Sequence, residues 1–127
     1  MLYILNKSQK FIFLMLFLGC AAQGPTLGGP EDLIGPVILN VFPNNGTVGL
    51  QELNKIEIMF NELINPISVP AAIRINPYIE YSIKTRGKKV TIILKESLLA
   101  ENNIYRISIS KTIRDYRGNG MKTPLNI

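Results

Sequence analysis

The sequence predicts an all-β protein, an antiparallel β-sandwich preceded by a membrane-targeting segment. Three observations carry this prediction. Apolar residues recur at every second position in short runs after Pro36, clusters of Gly, Pro, Asn and Asp separate the runs, and no long segment has the apolar spacing of a helix. Strands that bury one face alternate in this way, and two sheets packed on their apolar faces form a sandwich.

The chain begins with the pattern of a secretory signal peptide. Lys7 and Lys10 precede an apolar run, Phe11–Ala22, and small residues follow the run. The run is about a dozen residues long, whereas a bilayer-spanning helix needs roughly 20. A positive start, a short apolar middle and a small-residue exit are typical of a signal peptide. The exit contains Cys20, which is the only cysteine of the chain.

The exit Leu18-Gly19-Cys20-Ala21 resembles the lipobox of bacterial lipoproteins, including those of Bacteroidetes, although Phe17 stands where that family prefers leucine. The resemblance implies signal cleavage between Gly19 and Cys20 and lipidation of Cys20. Residues 1–19 would then be a removed signal peptide. The mature protein would lie in the cell envelope, at the outer membrane, held to the bilayer by the lipid on Cys20. Two or three acyl chains on one residue make such attachment stable.

The alternative for Cys20 is a buried structural cysteine in an apolar helix. An intrachain disulfide has no second cysteine, and a catalytic thiol has no histidine beside it, because the sequence contains none. Residues 20–35, with the sequence CAAQGPTLGGPEDLIG, are predicted to be a flexible linker because Gly and Pro keep such a segment irregular.

Residues 36–127 are predicted to form the sandwich. The first run is PVILNV, Pro36–Val41. The inward positions of the later runs are Ile56, Ile58 and Phe60; Ile73 and Ile75; Ile79, Tyr81 and Ile83; Val90, Ile92 and Leu94; and Tyr105, Ile107 and Ile109. We expect a core in which Ile58, Phe60, Ile92, Leu94, Tyr105 and Ile107 meet between two sheets. A helical turn in SVPAAI and a short helical or irregular crossover in ESLLAEN are the only departures expected from this pattern.

The same region contains a series of short motifs in a fixed order. They are Gly28–Asp32 followed by Gly35-Pro36, Phe42-Pro43, Ile56–Phe60 with Glu62, Asn76-Pro77, Gly87–Ile92, Tyr105–Ile109 and Asp115–Asn119. This order resembles the bacterial Ig-like domain first described in an S-layer protein and common in Bacteroidetes lipoproteins. Gly35 stands where that family usually has a second proline. The resemblance implies an Ig-like β-sandwich without a catalytic role.

The chain ends soon after its last long run. In MKTPLNI only Leu125 and Ile127 supply apolar residues beyond Pro124, which cannot donate a ladder hydrogen bond, and a strand usually needs about five residues. The sequence therefore predicts a sandwich that lacks its last strand, a C-terminally truncated domain, and an open apolar edge along Ile104–Ile109. Such an edge is also the kind of site at which a partner strand docks.

Lys84, Arg86, Lys88 and Lys89 form the most basic stretch of the chain, on either side of Gly87. They are predicted to be an exposed hairpin tip without a specific ligand. The alternative is a contact with anionic glycan or lipid headgroups. The net charge of +5 includes two lysines of the signal segment, so it does not indicate nucleic-acid binding.

Acidic and aromatic residues give three further candidates. Asp115 and Asn119 have the spacing of a tight turn, with calcium ligation as the alternative, although calcium needs six to eight oxygens. Glu57 and Glu62 have opposite strand parity, so they form no glycosidase pair. Tyr105 is predicted to be a core aromatic whose hydroxyl reaches a loop backbone, as in tyrosine corners.

These observations predict a lipid-anchored envelope protein whose Ig-like domain is a structural, spacer or interaction module for an envelope protein or glycan. We expect no catalytic residues, metal, cofactor, small-molecule substrate or nucleic-acid partner. The alternative is a carbohydrate-binding accessory module, which an exposed platform of aromatic residues would favour. The chain has no tryptophan, and Tyr78, Tyr81, Tyr105 and Tyr116 are not clustered in sequence.

Overall fold

The computed structural model describes residues 29–100 and 102–127. Within Asp32–Ile127 it contains seven strands and a short 3-10 helix. The predicted signal peptide, its cleavage site at Gly19 and Cys20, and most of the predicted linker lie outside the described residues. The elements are β1 Ile38–Phe42, β2 Lys55–Phe60, η1 Pro66–Ser68, β3 Ile73–Asn76, β4 Tyr81–Arg86, β5 Lys89–Leu94, β6 Arg106–Ile109 and β7 Leu125–Asn126. In this part of the chain, no helix has the length and apolar character needed to cross a bilayer.

The strands form two antiparallel sheets, as the sequence predicts. One has the order β1-β2-β5-β4 and the other the order β3-β6-β7. This is the strand order of the constant-type immunoglobulin sandwich, in which the first, second, fifth and fourth strands pair in one sheet. The predicted Ig-like β-sandwich is therefore confirmed.

The period-two pattern places the predicted residues inside. In β2 the side chains of Ile56, Ile58 and Phe60 are buried, and Val90, Ile92 and Leu94 of β5 are buried opposite them. The second sheet contributes Ile73, Ile75, Ile107 and Ile109 to the same cluster, and Tyr105 packs against it while remaining partly exposed. The predicted core is thus confirmed, with Tyr105 at its margin.

The connections depart from the prediction in detail. The 3-10 helix, Pro66–Ser68, shares only Ser68 with the predicted helical turn in SVPAAI, and the Asn65 side chain caps it by accepting a hydrogen bond from the Ile67 N–H (3.1 Å). Within SVPAAI a separate single turn follows, in which the Ala72 N–H donates to the Val69 carbonyl (3.0 Å). The 95–100 segment is irregular, and a single bridge between Glu52 and Leu98 ties it to the β1–β2 connection.

The prediction that the last strand is missing is wrong. Leu125–Asn126 form β7, which pairs with β6 through Ile109↔Leu125 and Ser108↔Asn126. Beyond these pairs, Ile107 and Ile127 exchange two backbone hydrogen bonds, of 2.8 and 2.9 Å. Pro124 precedes the first pair, so its missing N–H costs no ladder bond. Leu125 and Ile127 both pack against the core, which stabilises a strand shorter than the usual length.

The predicted open edge along Ile104–Ile109 is therefore wrong as well, because β3 lies on one side of β6 and β7 on the other. The strand is also shorter than predicted at its start. Ile104 lies outside it with an exposed side chain, and β6 begins at Arg106.

Candidate functional site

The basic stretch forms the β4–β5 hairpin. Arg86 pairs with Lys89, so the loop has only two residues, Gly87 and Lys88. Gly87 has φ of +62°. A glycine with positive φ at the first loop position is typical of a type II′ turn, whose twist matches that of the strands. Lys84 and Arg86 lie on the outward face of β4 and are exposed.

The hairpin tip is held against the chain that follows β2. The Ile64 N–H donates to the Gly87 carbonyl (3.0 Å), and the Phe60 N–H donates to the Lys88 carbonyl (2.9 Å). The Lys88 Nζ donates in turn to the Asn61 carbonyl (2.9 Å). The tip is therefore packed on one side rather than projecting freely.

The four predicted contact residues separate into two pairs. Lys88 and Lys89 have partners within the domain, because the Lys89 Nζ lies 3.3 Å from Glu57 and Lys88 bonds Asn61. Hydrogen bonds from Lys55 and then Lys89 lower the pKa of Glu57. Lys84 and Arg86 form no ion pair with residues 29–100 or 102–127. Lys84, Arg86 and Lys88 are exposed, as expected of a hairpin tip, and Lys89 is partly buried.

The Asp115–Asn119 segment is a closed turn. One Asp115 carboxylate oxygen accepts hydrogen bonds from the N–H groups of Arg117 and Asn119, both at 2.8 Å. The other accepts from the Asn119 Nδ2 (2.8 Å), which also donates to the Asp32 carbonyl (2.9 Å). These partners support the turn interpretation over calcium ligation. No group of three or more ligating side chains occurs in the part of the chain that the structure describes.

The hydrogen bonds around Asp115 stabilise its ionised form. Burial would raise its pKa, but hydrogen bonds from Asn119, Arg117 and Gly118 outweigh burial, and the pKa lies below the ordinary value of 3.8. The folded state consequently binds fewer protons at this group than the unfolded state. Its contribution to stability is complete well above pH 3.8 and is lost as the pH falls through the lowered pKa.

We expect Asp115→Asn to lower the free energy of unfolding by about 1.5–3 kcal/mol at neutral pH. The substitution replaces the charged acceptor of the Arg117 and Asn119 N–H groups by a neutral one, and it brings the new side-chain amide next to the Asn119 amide. Denaturant unfolding at neutral and acidic pH measures this. The difference between the two proteins should shrink as the pH falls below 4. A difference that is the same at both pH values would contradict the assigned role of the carboxylate.

Tyr105 occupies the position of a tyrosine corner. It directly precedes β6, and its hydroxyl accepts a hydrogen bond from the Ala100 N–H (3.1 Å). A tyrosine at the start of the sixth strand that bonds the backbone a few residues upstream is a feature of Ig-type sandwiches. The predicted contact of the hydroxyl with a loop backbone is confirmed.

Tyr105→Phe should lower the free energy of unfolding by about 1 kcal/mol, because it removes this hydrogen bond and leaves the ring in place. Thermal unfolding of the variant measures the loss. Tyr78→Phe is the matched control, since the Tyr78 side chain is 79% exposed. Equal melting temperatures for the Tyr105 variant and the parent would show that the bond does not stabilise the corner.

The acidic pair behaves differently from a catalytic dyad. Glu57 lies in β2 and binds Lys55 and Lys89, whereas Glu62 follows the end of that strand. The pKa of Glu62 is raised, first by burial and then by the negative charges of Asp115 and Asp32. Glu57 is therefore paired with two lysines, and the carboxylates that act on Glu62 are those of Asp32 and of Asp115, which is held in its own turn.

One concave surface was not apparent from the sequence. A shallow groove of about 380 Å³ follows β1, and its walls come largely from the β1–β2 connection, with Phe42, Leu50 and Leu53 as apolar lining and Glu52 and Lys55 as charged residues. All of its lining residues lie within positions 42–55, a stretch that contains no recognised motif. It contains no nucleophile with a base beside it.

The tyrosines do not all remain available for stacking. The Tyr81 hydroxyl donates to the Ile73 carbonyl (2.9 Å), and the Tyr105 hydroxyl accepts from the Ala100 N–H. Tyr78 and Tyr116 are exposed, but one precedes β4 and the other lies in the turn at Asp115. The aromatic platform expected of a carbohydrate-binding module is therefore reduced to single exposed rings in the described residues.

Comparison with known proteins agrees with this geometry. No curated protein matches the chain. The profile of a family described as bacterial Ig-like domain matches residues 32–127. The match covers the whole two-sheet domain, from the segment before β1 to the end of β7, and members of this family are typically non-catalytic modules. On this match and on the strand order, the chain belongs to the bacterial Ig-like domain family.

Proposed function

We propose that this protein is a lipid-anchored component of the bacterial cell envelope, and that its Ig-like domain is a structural, spacer or interaction module without enzymatic activity. The observation that carries the proposal is the amino-terminal pattern that ends at the single cysteine. Lysines, a short apolar run and Gly19 precede Cys20 in the order that lipidation and cleavage require. Lipid on Cys20 would fix the domain to a membrane, and the outer membrane is the site that the lipoprotein resemblance favours.

The domain supports the second half of the proposal. Its core is filled largely by aliphatic side chains and Phe60, and ionisable residues that have internal partners, such as Asp115 and Glu57, serve a turn and a strand pair. A compact module of this kind can hold a partner, whether an envelope protein or a glycan, at a set distance from the bilayer. A glycine- and proline-rich segment before it would act as the spacer.

Metabolic labelling with a fatty-acid analogue tests the anchor. We expect the full chain to incorporate label and to fractionate with the envelope. Cys20→Ala should lose the label and retain residues 1–19, since the cut depends on the modified cysteine. Cys20→Ser is a second variant of matched size. Label that persists in either variant would show that Cys20 is not the attachment site.

A further inference from the structure

The loops of the sandwich fall into two sets, one at each end. The strand register places the start of β1, the β2–β3 connection, the β4–β5 hairpin and the β6–β7 connection at one end. Hydrogen bonds join these segments directly, from Asn65 N–H to the Arg114 carbonyl (2.9 Å) and from Asn119 to Asp32. We call this end, formed by residues 32–37, 61–72, 86–89 and 110–124, the linker end, because the preceding chain joins the domain there.

Charge is distributed unequally between the ends. The basic residues of the linker end are Arg86, Lys88, Lys89, Lys111, Arg114, Arg117 and Lys122, and its acidic residues are Asp32, Glu62 and Asp115. The opposite end, counted in the same way over residues 43–55, 77–81, 94–100 and 102–106, carries Glu52, Glu80 and Glu96 against Lys55, Lys95 and Arg106, and Lys95 forms an ion pair with Glu80. The linker end is therefore the positive end of the domain.

Several of its cations have no internal role. Arg86, Lys111, Arg114 and Lys122 are exposed, and none of their side chains forms a hydrogen bond or ion pair within residues 29–100 and 102–127. Arg117 differs, because its guanidinium lies 3.9 Å from Asp32. Unpaired cations that converge on one end lower the free energy of contact with an external anionic surface.

Exposed apolar side chains accompany these cations. Leu33, Ile34, Leu63, Ile67 and Tyr116 all belong to the linker end and are more than half exposed. The opposite end also exposes apolar groups, such as Val48 and Ile104, but Arg106 is the single unpaired cation near them in the described residues, whereas the linker end has four. Cations interspersed with aliphatic and aromatic side chains fit the headgroup region of a bilayer better than a soluble polyanion, which offers nothing to the apolar groups.

We propose that the linker end docks on the anionic lipid headgroups of the membrane that carries the anchor. This inference rests on the proposed anchoring at Cys20. A linker of about a dozen residues, as the sequence predicts between Cys20 and the domain, would span roughly 20 Å, so the docked and undocked positions would both be within its reach. Electrostatic attraction acts over about 8 Å at physiological salt, and each Lys or Arg near such a surface strengthens binding about five-fold. The domain then stands with its opposite end, including the groove beside Phe42, directed away from the bilayer.

Amine footprinting of the anchored protein tests this orientation. The full chain is coupled through Cys20, its single thiol, to a maleimide phospholipid in phosphatidylcholine vesicles with or without phosphatidylglycerol. Acylation of Lys111 and Lys122 should fall several-fold on the vesicles that contain phosphatidylglycerol. Acylation of Lys84, on the outward face of β4, should change little, and high salt should abolish the difference. Because the coupling is chemical, the result does not depend on lipidation in the cell, which the labelling of Cys20→Ala tests separately.

Matched variants sharpen the test. Arg114→Glu should weaken the protection of Lys111 and Lys122, whereas Arg106→Glu, the same change at an exposed and unpaired position at the start of β6, should preserve it. Equal acylation on both kinds of vesicle would overturn the proposal. The proposal would also be overturned if Arg114→Glu and Arg106→Glu lost the protection of Lys111 and Lys122 equally. Protection of these lysines by a soluble polyuronate, as strong as that by vesicles, would overturn it as well.

Discussion

Phe60→Ala should lower the free energy of unfolding by about 3–5 kcal/mol. Phe60 is fully buried at the end of β2, and it is the largest of the fully buried side chains. Its removal leaves a cavity between the two sheets that the surrounding isoleucines fill only in part. A single domain of this size has a total stability of about 5–15 kcal/mol, so much of the variant should unfold at modest denaturant concentrations. Urea titration followed by circular dichroism measures the loss.

Met59→Ala is the matched control, because Met59 precedes Phe60 in the same strand but lies on the outward face and is 40% exposed. It should cost less than about 1 kcal/mol. Leu94→Ala, in the neighbouring strand β5, should cost about 2–5 kcal/mol. Similar losses for Met59→Ala and Phe60→Ala would mean that the two faces of β2 are not distinguished as described.

Gly35→Ala should lower the free energy of unfolding by about 3 kcal/mol, at the upper end of overpacking effects. An added Cβ would overlap the carbonyl oxygen of Gly120 and would lie 2.5 Å from its carbonyl carbon. The obstruction is backbone, so no side chain can rotate away. Gly120 has little room of its own, since a Cβ there would lie 3.0 Å from the Lys111 carbonyl oxygen. Thermal unfolding of the variant measures the effect.

The same close approach accounts for a glycine at position 35 of this chain. In this chain the segment before β1 packs directly on the 119–120 backbone, and only a residue without a Cβ fits. Gly29→Ala serves as the control, because a Cβ at Gly29 would meet nothing within 4 Å. A Gly35→Ala protein as stable as this control would show that the two segments do not pack so closely.

The sequence predicts the core well because one physical constraint determines it. The strands between Lys55 and Leu94 alternate apolar and polar residues, with Met59 and Ile93 as exceptions, and a shift of one residue would place the buried apolar side chains in water. The turn between β4 and β5 is equally local, since Gly87 alone supplies the positive φ that the two-residue loop needs. Fold class and core composition therefore follow from the sequence pattern alone.

Features that depend on contacts between residues far apart in the sequence do not follow from the local sequence pattern. β7 has only two residues, and it exists because Leu125 and Ile127 pack on a core built by other strands. The short local run therefore predicts that the last strand is missing, which is wrong. Asn119 holds both Asp115 and the Asp32 carbonyl, a contact across 87 positions of sequence. Lys88 and Lys89 likewise have internal partners, unlike Lys84 and Arg86, because Asn61 and Glu57 lie near them from a loop and a strand that are distant in sequence.

We propose that a lipid on Cys20 carries this Ig-like module at the membrane. Intact mass spectrometry of the protein recovered from the envelope fraction tests it most directly. The account predicts a polypeptide that begins at Cys20 and bears the added mass of a diacylglyceryl group, with or without an amide-linked acyl chain. A protein that retains Met1–Gly19, or one that begins elsewhere with an unmodified cysteine, would contradict it.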